Sequence, residues 1–225
     1  LADQIAEAVQ LKGSDRVLDL GCGQGASLLH WIEQYHVRQL SAVELQAECV
    51  KRIQHELPQV EIYCQSFLDL QQPVTLNLFD VVLCIDAAYH SALNSFLFSA
   101  SSVLNSKGRV GFHYLMLSDK YVNLNALQRL KYQALLKAAD VNLHDLMNKK
   151  ELQQALQQAE FKNIQIEDIS EQVFAGFAHY AETALNTAEA SKGVDSFKIK
   201  MTAKLCRRLF EDGIVRYVQV AAQKG

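Results

Sequence analysis

The sequence has no long apolar run and few prolines, and the first of these absences argues against a membrane protein. No uninterrupted apolar stretch approaches the roughly 18 residues that a membrane-spanning helix needs. The first residues also do not have the charged-then-apolar pattern of a signal peptide. Pro58 and Pro73, the only two prolines, lie between predicted elements, where proline is least disruptive. We therefore expect no membrane insertion.

The cysteine and charge content disfavours further classes of protein. The five cysteines are odd in number, widely spaced and contain no CxxC pair, which argues against a disulfide framework and against a zinc site. This usage is typical of a reducing compartment, so we expect a cytoplasmic protein. The chain has 22 Lys and Arg residues and 25 Asp and Glu residues, which gives a net charge of -3, and its basic residues are scattered along the sequence. We therefore do not expect an extended nucleic-acid binding surface.

The pattern of apolar residues predicts one α/β domain over residues 1–225. Short runs rich in Val, Ile and Leu alternate with helical patterns in the first half, as in successive βα units around a mostly parallel sheet. Helices are predicted between them at 26–35, 47–57 and 91–104. The predicted strands are 16–20, 39–44, 60–65, 79–86, 108–115 and 162–169, with a last strand within 213–225.

The second half of the chain is mainly helical. The block at about 116–160, after the fifth predicted strand, is too long for a loop and predicts a helical cap beside the sheet. Additional helices are predicted at about 171–209. Phe174, Phe177 and Tyr180 recur there at helical spacing, which predicts the inner face of a helix and the roof of an apolar substrate pocket.

The stretch "VLDLGCGQG", residues 17–25, uses three of the chain's 10 glycines at a predicted strand-to-helix turn. Ligands bind at such turns in open α/β sheets, and glycines let backbone N–H groups face the ligand. The loop satisfies both the pattern GxGxG and the dinucleotide template GxGxxG/A, so the loop alone does not identify the ligand. Glu44 ends the second predicted strand, where the ligands of both patterns use an acidic residue to bind ribose. A tight turn without a ligand, with Glu44 as a solvated carboxylate, is the alternative.

Four motifs in order extend this pattern from about Gly13 to Tyr114. "VLDLGCGQG" is followed by "VEL", "FDVVLCIDAAYH" and "LNSKGRVGFHYL". The series resembles the class I S-adenosylmethionine-dependent methyltransferases, particularly those that act on small molecules. The resemblance implies a Rossmann-like, doubly wound fold with a seven-stranded, mostly parallel sheet, in which an antiparallel last strand lies between the fifth and sixth. It also implies S-adenosyl-L-methionine as the cofactor.

The resemblance also implies roles for individual residues. Asp19 would lie near the methionine amine of the cofactor, Glu44 would hold the ribose, and Leu45 would lie against adenine. The family usually has an aspartate where this chain has Ser66, whose hydroxyl can still accept a hydrogen bond from an amine, and Asp69 is a competing candidate. The implied cofactor-binding residues are Asp19, Gly21, Cys22, Gly23, Glu44, Leu45, Ser66, Phe67, Ile85 and Asp86.

Methyl transfer from a sulfonium is an in-line displacement, so alignment of the reactants is the protein's main contribution. A base is needed only when the acceptor loses a proton, and histidine is the natural residue for that step at neutral pH. His90 follows the fourth predicted strand and is predicted to be this base or a substrate-orienting group. Tyr89 and His113 are further substrate candidates, and each of the three has a purely structural alternative. No metal ligand is predicted.

The function predicted from the sequence is methyl transfer from S-adenosylmethionine to a small, fairly apolar acceptor. An NAD(P)-dependent oxidoreductase of the Rossmann type is the alternative enzyme, which the glycine loop fits but the later motifs do not support. A non-catalytic S-adenosylmethionine-binding protein is the third possibility, because a fold does not fix a function. The oligomeric state is not predicted.

Overall fold

The structure, a computed structural model, describes residues 1–70, 78–185 and 194–225. The predicted loop residue Pro73, and residues 186–193 of the predicted helical range 171–209, lie outside the described residues. Two units make up the chain. The first unit consists of Leu1–Tyr114, Gln153–Ile166 and Gln219–Gly225, and the second of Leu115–Leu152 and Glu167–Val218.

Seven strands form a single sheet. They are β1 Arg16–Leu20, β2 Gln39–Glu44, β3 Glu61–Cys64, β4 Phe79–Cys84, β5 Leu104–Leu117, β6 Phe161–Asp168 and β7 Val215–Lys224. Their order is β3-β2-β1-β4-β5-β7-β6. The pairs β1 with β2, β1 with β4, β2 with β3 and β4 with β5 are parallel, and β7 is antiparallel. The predicted Rossmann-like sheet, with its last strand between the fifth and sixth, is thus confirmed.

Eight helices connect or flank these strands in the described ranges. They are α1 Ala2–Ala8, α2 Ala26–Glu33, α3 Ala47–Glu56, α4 Leu93–Val103, α5 Ala126–Lys137, α6 Lys149–Gln158, α7 Gly176–Leu185 and α8 Val194–Asp212. Helices α2, α3 and α4 confirm the predicted βα units. The sequence pattern missed α1, because seven residues are too few for helical periodicity to show. None of the described helices is both long enough and apolar enough to cross a membrane.

The core of the first unit explains why its strands could be recognised. Neighbouring residues Val17 and Leu18 on β1 are both fully buried, although successive side chains point to opposite faces of a strand. Burial on both faces gives a parallel strand its continuous apolar run. Leu28 and Trp31 of α2 are fully buried in this unit, and each contributes roughly 1.5–3 kcal/mol through removal from water. The first unit thereby holds the loops at its strand ends on a rigid base.

The second unit differs from the predicted helix pattern at one position. Phe174 is buried and Phe177 is half-buried, but Tyr180 is 67% exposed, so the predicted shared inner face is wrong for Tyr180. The reason is the π-helical turn at Glu171–Ala175 just before α7, which has more residues per turn than an α-helix and shifts the phase. Ala178 and Ala181 take the buried positions instead.

Candidate active site

The glycine loop after β1 lies where the strand order of the sheet reverses, between β1 and β4. Gly21, Gly23 and Gly25 have φ angles of 75°, 54° and 88°, which L side chains rarely adopt. A Cβ atom on Gly21 would lie 2.7 Å from the Cβ of Ala87, whereas one on Gly23 would meet nothing within 4 Å. Gly21 is therefore required for close packing, and Gly23 leaves the backbone open to a ligand.

Glu44, at the end of β2, fixes this loop in place. Its carboxylate accepts hydrogen bonds from the backbone N–H of Gly23 at 2.9 Å and from that of Gln46 at 2.8 Å. The N–H of Gly21 donates to the carbonyl of Val43 at 2.8 Å. Each carboxylate oxygen keeps capacity for a further hydrogen bond. The prediction that Glu44 holds a ribose stays a prediction, and loop anchoring is a role that sequence reasoning missed.

Asp19, the last residue but one of β1, is 1% exposed. Its Oδ2 accepts a 2.8 Å hydrogen bond from the indole Nε1 of Trp31 on α2. Burial raises the pKa of Asp19 to about 6, although hydrogen bonds from Trp31 and Ser27 lower it, and the nearby charge of Glu44 raises it further. A cationic ligand beside this carboxylate would favour its ionised form.

The residues after β2 and β3 line the same edge of the sheet. Leu45 is 70% exposed although it is apolar. Ser66 is half-buried, and its hydroxyl accepts from the N–H of Leu68 at 3.2 Å. The ring of Phe67 would lie 3.6 Å from a Cβ on Gly21, so the structure brings Phe67 and the glycine loop together. The competing candidate Asp69 is exposed.

The segment after β4 carries the predicted acceptor-side residues. The strand ends at Cys84, two residues before the predicted end, and half-buried Ile85 is followed by exposed Asp86 with a φ of 56°. A left-handed backbone is uncommon for a residue other than glycine and is frequent at functional sites. The hydroxyl of Tyr89 donates to Asp86 Oδ1 at 3.3 Å. The exposed His90 ring lies 4.6 Å from the Tyr89 ring, centroid to centroid.

His113, the third acceptor-side candidate, is fully buried on β5. Burial lowers its pKa to about 4, against the opposing influence of the Asp86 charge and of a hydrogen bond with Gln219. The imidazole is therefore neutral near pH 7. Its burial favours the structural alternative, and contact with substrate stays a prediction. Ala87, which packs against Gly21, is a site residue that no sequence signal identified.

Comparison with known proteins agrees with this arrangement. Residues 17–108 match the family model described as a methyltransferase domain. Similar solved structures include geranyl diphosphate C-methyltransferase from Streptomyces coelicolor A3(2), 17% identical with a TM-score of 0.75, covering 100% of this chain and 78% of that chain. A cyclopropane synthase from Mycobacterium tuberculosis is also 17% identical, with a TM-score of 0.78 and coverage of 99% and 82%. None of the curated protein sequences matches significantly.

A third similar structure is an N-methyltransferase, whereas the first is a C-methyltransferase. Phosphoethanolamine N-methyltransferase 2 from Haemonchus contortus is 15% identical with a TM-score of 0.77, covering 99% of this chain and 52% of that chain. A glycine loop and buried acidic residues at the switch point of an open α/β sheet define a nucleoside-binding fold. Residues 17–108 thus match a methyltransferase domain, and the chain has the Rossmann-like fold of these methyltransferase structures.

The residues at this edge fit S-adenosylmethionine as the cofactor. The backbone at Gly23 has open space where a side chain would otherwise lie. Buried Asp19 suits an ammonium group, and exposed Leu45 offers an apolar surface to a purine ring. Within the described ranges, no group of three or more His, Cys, Asp and Glu side chains could hold a metal ion.

Proposed function

We propose that the chain transfers the methyl group of S-adenosylmethionine to a small, fairly apolar acceptor. The observation that carries this proposal is the meeting of three loops at one sheet edge. A Cβ atom on Gly21 of the first loop would lie 3.6 Å from the ring of Phe67 after β3 and 2.7 Å from the Cβ of Ala87 after β4. A site assembled from several strand ends at a switch point is typical of ligand binding in this class of fold.

The roles of the residues follow from their chemistry. The bound cofactor supplies an electrophilic methyl group on a positively charged sulfur. Asp19 would hold the cofactor's ammonium group, Glu44 its ribose hydroxyls and Leu45 its adenine. On the acceptor side, His90 would take up a proton from a hydroxyl or similar nucleophile, next to Tyr89, whose ring it approaches.

The apolar character of the acceptor is supported by side chains at the same edge. Leu68 is apolar and 41% exposed, and the ring of Tyr89, beside His90, is half-buried. Small-molecule sites are lined mainly by apolar and aromatic groups with a few polar ones. The names of the similar structures include geranyl diphosphate and phosphoethanolamine, which supports a small molecule as the acceptor. The proposal that the acceptor is fairly apolar rests on the site residues alone.

Calorimetry with each candidate cofactor tests the proposal. We expect saturable binding of S-adenosylmethionine and of its demethylated product, S-adenosylhomocysteine, because both present an ammonium group and a ribose to the acidic residues. We expect no saturable binding of NAD under the same conditions. Saturable binding of NAD together with no binding of either sulfur nucleoside would reject the proposal in favour of the oxidoreductase.

Glu44→Ala should weaken binding of S-adenosylhomocysteine by about 1.5–3 kcal/mol, the usual worth of hydrogen bonds to a charged group. The substitution removes the acceptor for the N–H groups of Gly23 and Gln46 as well as any bond to the ribose. Calorimetry at pH 7.5 measures the change. The matched control is Glu48→Ala on α3, because Glu48 is an exposed glutamate that pairs with exposed Lys51. Equal affinities for the two variants would show that Glu44 has no part in binding.

A further inference from the structure

Trp31 links the second turn of α2 to the carboxylate of Asp19. It is the only tryptophan in the chain, it is fully buried, and its indole N–H donates to Asp19 Oδ2 at 2.8 Å. The rings of His30 and Tyr35 lie 5.5 and 5.9 Å from the Trp31 ring. The indole therefore has one carboxylate partner on its inner side and two titratable rings near it.

The surroundings of Asp19 contain donors and acids. Two neutral hydrogen-bond donors, Trp31 and Ser27, come from α2. Three acidic groups interact electrostatically with Asp19, namely Cys22 of the glycine loop, Glu44 of β2 and Cys84 of β4. None of the five is cationic. Burying a carboxylate destabilises the fold unless the carboxylate is paired or hydrogen-bonded. The indole N–H of Trp31 therefore stabilises the ionised form of Asp19 in the absence of a cationic ligand.

We propose that Trp31 is a positioning residue for cofactor binding. Its indole N–H holds the Asp19 carboxylate ionised and oriented toward the site of the cofactor's ammonium group, so that protonation of Asp19 weakens binding. This inference rests on the proposed function for the identity of the ligand. The hydrogen bond itself is independent of that function and can be tested without any ligand.

The pH dependence of binding separates positioning from simple packing. In the native protein, the affinity for S-adenosylhomocysteine should fall as the pH decreases through about 6, where Asp19 becomes protonated. Trp31→Phe keeps an aromatic ring but removes the donor, so the pKa of Asp19 rises further and protonation begins at higher pH. If the midpoint rises by one pH unit, we expect the variant to bind nearly tenfold more weakly at pH 5.5, about twofold more weakly at pH 7 and almost equally at pH 8.

A matched packing variant completes this experiment. Ile5→Val shortens a fully buried side chain in the same core cluster as Trp31 without touching the hydrogen bond to Asp19. Ile5→Val should leave the pH midpoint of binding where it is in the native protein. A loss of affinity in Trp31→Phe that is the same at every pH between 5.5 and 8 would show that Trp31 has only a structural role, and the proposal would be wrong.

The fluorescence of Trp31 gives a second readout that needs no activity. Because the chain has one tryptophan, its emission should change with a midpoint near pH 6 in the cofactor-free protein as Asp19 is protonated. Asp19→Asn should abolish this transition. His30→Asn should retain it, which excludes the neighbouring imidazole as its source. Loss of the transition in His30→Asn, with persistence in Asp19→Asn, would overturn the proposal.

Adding ligand distinguishes failure of this inference from failure of the proposed function. With saturating S-adenosylhomocysteine, the fluorescence midpoint should decrease by about one pH unit or more, the usual effect of an opposite charge within 4–6 Å of a carboxyl. If the ligand binds and the midpoint does not move, the positioning role is wrong and the cofactor assignment stands. If the nucleoside does not bind at any pH, both the proposed function and the positioning role are rejected.

Discussion

His90→Ala should lower turnover by about 10²–10⁴-fold on an acceptor that loses a proton, the usual contribution of general acid–base catalysis. The affinity for S-adenosylhomocysteine should remain nearly unchanged. The exposed His90 ring follows β4 at the ligand edge of the sheet and lies beside the ring of Tyr89. Its backbone N–H donates to the carbonyl of Ala87, and the alanine variant keeps that bond. The substitution therefore removes the imidazole and leaves the local backbone intact.

The measurement begins with a screen of apolar metabolites that bear hydroxyl or amine groups, scored by release of S-adenosylhomocysteine. The control is His55→Ala, because His55 is an exposed histidine in the last turn of α3 and should have no effect. A neutral amine needs no base before attack, so alignment would supply most of the acceleration and the loss would be much smaller. Full turnover of His90→Ala on every acceptor found would show that the imidazole has no catalytic role.

The framework around His90 was predictable because buried parallel strands have a simple sequence signature. The predicted ranges of the first two strands coincide with β1 and β2, where both faces of the sheet are covered and the apolar run is continuous. The loop conformation was predictable only at glycines. Asp86 has a left-handed backbone, which is uncommon outside glycine even though aspartate adopts it more often than most residues. Nothing in the apolar run shows where this turn begins, and so the fourth strand was predicted two residues too long.

Contacts between distant side chains were beyond the sequence for a different reason. Helical spacing predicts the helix at 26–35, but it does not show that the indole N–H of Trp31 donates to Asp19. Whether a polar atom is buried can be determined only when the positions of α2 and β1 in the fold are known. The same holds for Ala87, whose close approach to Gly21 depends on the path of the chain after β4.

Asp19→Asn should stabilise the protein while weakening cofactor binding. Burial raises the pKa of Asp19 from 3.8 to about 6, so the folded state holds the proton more tightly than the unfolded state. Stability is then lost as the pH rises from 3.8 to 6, since the unfolded chain ionises first. Above pH 6 the ionised carboxylate costs the fold about 3 kcal/mol, an order-of-magnitude value at 1.36 kcal/mol for each pH unit.

Denaturant unfolding of the native protein and the Asn variant at pH 4.5 and 7.5 measures this cost. The amide oxygen of the variant can still accept from the indole of Trp31, so the two proteins differ mainly in charge. We expect Asp19→Asn to be more stable by about 3 kcal/mol at pH 7.5, and by clearly less at pH 4.5, where the native carboxyl is protonated. An equal difference at the two pH values would contradict the assignment of the cost to ionisation.

Asp80→Asn on β4 provides the contrast. The carboxylate of Asp80 accepts hydrogen bonds from the backbone of Arg16 and the amide of Asn105, both at 2.9 Å, and its replacement should give no gain in stability. A residue that destabilises the fold when ionised is retained where function requires it. If Asp19→Asn gains stability and loses affinity for S-adenosylhomocysteine, the charge of Asp19 serves the ligand. A gain in stability with unchanged affinity would show that the ammonium group is held elsewhere.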